Sequence, residues 1–171
     1  MKIIFDRPLF GASTKTLNLE KDGEKIGKMD RWFHPPHERP ATSPIYDVNI
    51  KVATRIDTYE ISQQSFTLGK GHHWKLEQNG VEVGQMTGSK GMKEKHIIEL
   101  HSENFPHILI QSTWKGSGII SINDKEIGAT KATGFLINTK YITDTEAITN
   151  LIDPSLFAGI TYTFWSSHTL R

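Results

Sequence analysis

Three short segments of this chain repeat one pattern, and that pattern restricts the fold more than any other feature. Leu19–Gly27 (LEKDGEKIG), Leu76–Gly84 (LEQNGVEVG) and Ile120–Gly128 (ISINDKEIG) share a layout: an apolar residue, a polar turn, a second apolar residue, then glycine. The turn pairs are Asp22-Gly23, Asn79-Gly80 and Asn123-Asp124. Asp-Gly and Asn-Gly favour two-residue type I′ turns, because both central positions need φ > 0. Asn-Asp is a weaker candidate for the same turn. Counting outward from a two-residue turn sets Leu19 opposite Ile26, Leu76 opposite Val83 and Ile120 opposite Ile127. Each repeat then has an apolar cross-strand pair on the same rung. The glycine that follows would weaken a strand unless it permits a bend or close packing. Strongly bent strands are what closing a barrel requires.

Further strands follow from period-two alternation. Tyr46, Val48, Ile50 and Val52 alternate with Asp47, Asn49 and Lys51, as in a strand with one wet face. Tyr59-Glu60-Ile61, Phe66-Thr67-Leu68, Ile97–His101, His107–Trp114 and Phe135–Ile142 read the same way. Phe33–Pro44 holds four prolines and is a loop, because proline cannot donate to a ladder. At the C-terminal side, Asp153-Pro154 is a helix start with Asp as N-cap and Pro at the first helical position. Leu156, Phe157, Ala158, Ile160, Tyr162, Phe164 and Trp165 then cover every side of a helix. A helix that is apolar all round belongs inside a core. Fully buried, its six large residues contribute roughly 1.5–3 kcal/mol each. The competing reading is a final strand, since Thr161, Tyr162, Thr163 and Phe164 have β propensity.

The 171 residues suit one domain spanning the chain, and 36% hydrophobic against 23% charged residues suits a folded core. The expectation is therefore a mainly β protein: a closed antiparallel barrel of about twelve strands around a C-terminal apolar helix. Net charge is +1, so any anion site must come from a local cluster, and the expectation is that nucleic acid is not a partner. There is no cysteine, which removes disulfides, thiolate metal ligands and a Cys nucleophile. No apolar run is long enough for a secretory signal or a transmembrane helix. The reading expects a cytoplasmic monomer, at most peripheral at a membrane.

The three hairpins and the segment DPSLFAGITYTFW (Asp153–Trp165) together resemble the tubby C-terminal-like superfamily, which includes LURP-one-related proteins and phospholipid scramblases. The resemblance covers about Thr16 to Trp165. It implies a twelve-stranded antiparallel barrel threaded by a central helix. It supplies no catalytic residues, and it brings in binding of phosphoinositide head groups through basic residues, without fixing which ones.

Read for chemistry, the chain offers little that is enzymatic. His34 and His37 bracket two prolines, and His72 and His73 adjoin, but neither pair has the convergent third ligand of a zinc site. Lys115-Gly116-Ser117-Gly118 lacks the spacing of a nucleophile elbow. Glu99 and Glu103 do not make a legible catalytic pair. No catalytic residue, metal or cofactor is assigned. The best local cluster is Gly88–Lys95 (GSKGMKEK), where Lys90, Lys93 and Lys95 outweigh Glu94, with Lys70, His72 and Lys75 earlier in the chain. Its bland reading is a solvated loop, and its functional reading is an anion or lipid head-group site. The expected function is a non-enzymatic module binding anionic lipid head groups. The rivals are a regulatory domain that binds a protein partner, and an enzyme whose site the sequence hides.

Overall fold

The structure, a computed structural model, describes residues 1–8, 11–40, 43–66, 71–89, 95–134, 139–146, 148 and 150–167. Twelve strands precede one helix. They are β1 (Lys2–Asp6), β2 (Leu17–Lys21), β3 (Glu24–Trp32), β4 (Asn49–Ala53), β5 (Thr58–Gln63) and β6 (His73–Gln78). Then come β7 (Val81–Gly88), β8 (Ile97–His101), β9 (Ile108–Ser112), β10 (Ser117–Ile122), β11 (Lys125–Thr133) and β12 (Lys140–Thr145). The helix α1 is Pro154–Ser167. Every strand pairs with its sequence neighbours, all antiparallel, and β1 closes the ring on β12. The expected closed twelve-stranded barrel around a C-terminal helix is the architecture found.

The three repeats form the hairpins β2–β3, β6–β7 and β10–β11, spaced four strands apart around the wall. Their turn residues lie at positive φ, Asn123 and Asp124 included. The first turn residue also clasps the strand before its own hairpin. Lys2 N–H donates to Asp22 Oδ1, Thr58 N–H to Asn79 Oδ1, and His107 N–H to Asn123 Oδ1, at 2.8, 2.9 and 3.1 Å. That clasp explains why the third repeat keeps Asn in a turn without glycine.

The register corrects the simple count. Leu19 faces Gly27, Leu76 faces Gly84 and Ile120 faces Gly128, because a β-bulge slips each hairpin by one residue. Ile26, Val83 and Ile127 are the extra residues. Their freed carbonyls accept from Ser155 Oγ, Ser102 Oγ and Glu146 N–H. The glycines sit where the next strand comes too close for a Cβ. A methyl group at Gly27 would lie 2.8 Å from Ala53 O, at Gly84 2.9 Å from His101 O, and at Gly128 2.1 Å from Asp144 O. The bulges raise local twist and bend the strands, which closure needs.

The helix fills the lumen. From Ser155 to Phe164 every residue is buried, with Leu156, Phe157, Ala158 and Ile160 at 0% exposure. Asp153 Oδ1 caps it by accepting from Ser155 N–H at 2.7 Å. Thr161, Thr163 and Ser167 donate back to the carbonyls of Phe157, Gly159 and Thr163. These bonds satisfy the buried hydroxyls within the helix itself, and the segment is this helix and not a final strand. At the far end, the His96 ring meets Phe164 O at 2.7 Å.

Some strand expectations need trimming. Tyr46 belongs to a 3₁₀ turn (Pro44–Tyr46), so this strand begins only at Asn49. Proline at the start of that turn and the buried bonds of Asp47 hold the segment off the ladder. Phe66 lies outside β5 and is partly exposed, while Thr67 and Leu68 lie outside the described residues. β9 ends at Ser112, leaving Thr113 and Trp114 in a turn. β12 begins at Lys140, and residues 135–138 of the strand expected there lie outside the described residues. No helix among the described residues is long and apolar enough to cross a membrane.

Candidate functional site: the basic end of the barrel

The up-and-down order sends alternate connections to opposite ends of the barrel. One end has the tight connections 22–23, 54–57, 79–80 and 123–124, the loop 102–107, and the run 146–153 into the helix. The other end has the long connections 7–16, 33–48, 64–72, 89–96 and 134–139, with the turn 113–116 among them. Binding residues concentrate in loops that a rigid scaffold positions.

The two ends also differ in charge. Among the described residues of the long-loop connections, Arg7, Lys15, Arg39, Lys95 and Lys115 outweigh Glu38 and Asp47. In the described connections at the hairpin end, Asp22, Asp57, Glu103, Asp124, Glu146 and Asp153 outnumber Arg55, with Lys125 of β11 paired to Glu146. The described connections thus differ in sign between the two ends, although the net charge of the chain is only +1. A sequence read as a line does not show this, because the connections of the two ends alternate along the chain and their charges nearly cancel in the total.

Trp114 stands at the basic end. It is 91% exposed, more than any other large hydrophobic side chain among the described residues. The turn that presents it is well fixed. Thr113 N–H donates to Ser117 O at 2.8 Å, Gly116 N–H donates to Thr113 O at 3.2 Å, and Gly116 takes φ +75°. The Thr113 and Ser117 hydroxyls meet at 2.8 Å. Lys115 Nζ lies 5.2 Å from the Trp114 ring centroid. A tryptophan pushed into water by an ordered turn has no packing explanation.

Of the lysine cluster expected from sequence, Lys95 adjoins this turn. Ser112 N–H donates to His96 O at 2.8 Å, which sets Lys95 and His96 beside the base of the Trp114 turn. Ser89 Oγ donates to Lys95 O and accepts from Ile97 N–H, both at 3.0 Å, and so staples the two ends of the connection. Lys95 is exposed; Lys90 and Lys93 lie outside the described residues, as does Lys70. Lys75 does not join the cluster: it pairs with Glu77 on the outer wall at 3.1 Å.

Beneath the loops sits a buried polar knot that anchors them. Arg31, 6% exposed, donates to the carbonyls of Gly11, Ile45 and Asp47 and so ties connection 7–16 to 33–48. Burial lowers the pKa of Arg31, while Tyr162 and Asp47 oppose that shift. Asp47 accepts from His34 N–H at 2.6 Å and from Asn49 Nδ2 at 2.5 Å, and meets His34 Nδ1 at 2.9 Å. His34 is therefore a structural partner of Asp47, and His37 stands apart beside Glu38, both exposed. His72 is half-buried, and burial lowers its pKa, with His73 adding to the effect. Its Nδ1 is buried without a partner, while His73 Nδ1 meets Gly71 O. Among the described residues, neither histidine pair gathers a ligand set.

Comparison of the chain with protein-family models, with curated proteins and with solved structures gave no match.

Proposed function

We propose that this barrel is a non-enzymatic binding module that sets its basic loop end against anionic lipid head groups at a membrane surface. The carrying observation is Trp114, held out in water on a Lys-flanked turn next to Lys95 at the positive end. Tryptophan is favoured at the membrane interface, where its ring is half apolar and its N–H stays wet. Each lysine near an anionic surface adds on the order of 1 kcal/mol, and the attraction fades within about one Debye length. Lys90, Lys93 and Lys95 alone would hold weakly, and the Trp114 ring supplies the second contact that reversible attachment needs. The reading also treats the chain as a divergent tubby C-terminal-like barrel, supported by the three hairpins and the enclosed helix. Docking would be peripheral, from the cytoplasmic side.

Vesicle co-sedimentation tests this directly. Pelleting should be stronger on anionic than on neutral vesicles and should weaken as salt rises. The Lys90/Lys93/Lys95→Ala triple variant should lose most of the anionic preference. Trp114→Ala should reduce binding at every salt concentration and abolish a lipid-induced blue shift of tryptophan emission. Equal pelleting on both vesicle types, or full binding by the triple variant, would remove the lipid reading and leave a protein partner as the better account.

A further inference from the structure

A second polar constellation lies at the opposite, acidic end, on the outer wall. Glu99 and His101 alternate on β8 and so share its outer face. The register that pairs Leu100 with Ile108 brings His107, just before β9, across from His101. His107 Nε2 lies 2.7 Å from Glu99 Oε1, and His101 Nε2 lies 3.5 Å from Glu99 Oε2. One ligand atom from each of the three residues falls within 4.8 Å of the others. The two imidazoles stack, with centroids 5.3 Å apart and planes at 30°. Both rings therefore aim Nε2 at the same carboxylate.

We infer that Glu99, His101 and His107 form a surface site for a divalent transition-metal ion such as Zn²⁺. Zinc bonds of about 2.0–2.1 Å in tetrahedral array put ligand atoms about 3.3 Å apart. The two histidine–carboxylate separations, 2.7 and 3.5 Å, fall on either side of that value. The metal would take the place of the contact between His107 Nε2 and Glu99 Oε1. Two imidazoles and one carboxylate are borderline ligands that suit zinc, copper or nickel rather than magnesium or calcium.

The backbone holds the three in place. Glu99 pairs with Thr87 on one side and Leu109 on the other. His107 donates its N–H to Asn123 Oδ1 and accepts from Asn123 N–H at 2.9 Å. Ser102 Oγ accepts from the N–H groups of Asn104 and Phe105, which shapes the loop between the two histidines. A groove of about 630 Å³, lined by 82–85 and 101–104, adjoins His101 and gives an ion access from solvent. The excess of carboxylates at this end raises the local cation concentration. Sequence spacing hid the trio, because one ligand, His107, lies at the far end of a proline-containing loop, just before the neighbouring strand.

The test is calorimetric titration of the purified, untagged chain with Zn²⁺. One ion per chain is expected, with a higher melting temperature that chelator reverses. Glu99→Gln, His101→Ala and His107→Ala should each weaken binding by about tenfold or more, while His37→Ala and His73→Ala leave it unchanged. All three ligand positions are partly exposed, so the variants should retain the native circular dichroism spectrum. Co²⁺ should give a visible d–d band that the same three variants lose. Absence of one-to-one binding, or binding that survives all three ligand substitutions, overturns the site.

Discussion

Gly128→Ala tests the closure device directly. Gly128 has φ +157°, and an added Cβ would stand 2.1 Å from Asp144 O and 2.6 Å from Thr145 Cα. Both are backbone atoms of β12, the strand that seals the ring against β1. They cannot swing aside like the end of a flexible side chain. Relief requires β11 and β12 to separate by more than 1 Å or so, judged against ordinary contacts beyond about 3.4 Å. Overpacking typically costs about 1–3 kcal/mol, and an unfavourable backbone region about 1–3 kcal/mol more. The loss should be about 2–6 kcal/mol. Gly80→Ala is the matched control: φ is +82°, yet nothing lies within 4 Å of the new methyl group. It carries the conformational cost alone. Urea unfolding of both variants gives the comparison, with Gly27→Ala and Gly84→Ala expected between them. If Gly128→Ala loses no more stability than Gly80→Ala, close approach is not why the repeat ends in glycine.

Two further expectations concern the lumen and the alkaline limit. Phe157 and Phe164, at 0% and 1% exposure, should each cost about 3–5 kcal/mol on change to Ala; an unchanged urea midpoint in either variant contradicts an enclosed helix. Tyr141 is pushed up to about 12, mainly by burial with Tyr162 adding, against an opposing effect of Arg7. A folded-state pKa above the unfolded value adds stability that is complete below pH 10 and is lost as pH rises towards 12. Tyr59, also raised to about 12 by burial, adds to the same loss. Melting temperature should therefore fall through this window, and less steeply in Tyr141→Phe; an equal slope in both proteins contradicts the assignment.

The hairpins were legible because their information is local. Asp22-Gly23 and Asn79-Gly80 name their turn type, and the flanking apolar residues name the inward face. The one-residue slip was not legible, because the groups that hold each bulged carbonyl lie elsewhere in the chain: Ser155 Oγ, Ser102 Oγ and Glu146 N–H. The helix was legible from its all-round apolar pattern, and its buried hydroxyls bond within it, as Thr161 does to Phe157 O. Tyr46 misled because it continues the alternation of Val48 and Ile50, while Arg31 draws the neighbouring carbonyls of Ile45 and Asp47 inward. Lys95 was visible as part of a lysine run. Trp114 was read as the end of a strand, since exposure is a property of the turn geometry and not of the residue type. Glu99, His101 and His107 meet only through pairing between strands, and no spacing along the chain announces them.

The order of parts has a consequence for how the chain is made. The element that fills the lumen is last in sequence, and the seam that encloses it joins Lys2 to Asp144. Early hairpins can form as they leave a ribosome, but the seam spans nearly the whole chain, and the residues that occupy the interior emerge after β12. Folding must wait for the helix, so much of the wall is built before its contents arrive. Such long-range closure makes folding slow. Once sealed, the ring has no free edge for another chain to extend, and the helix leaves only when the seam opens. Resistance to proteolysis should then follow the rate of that opening.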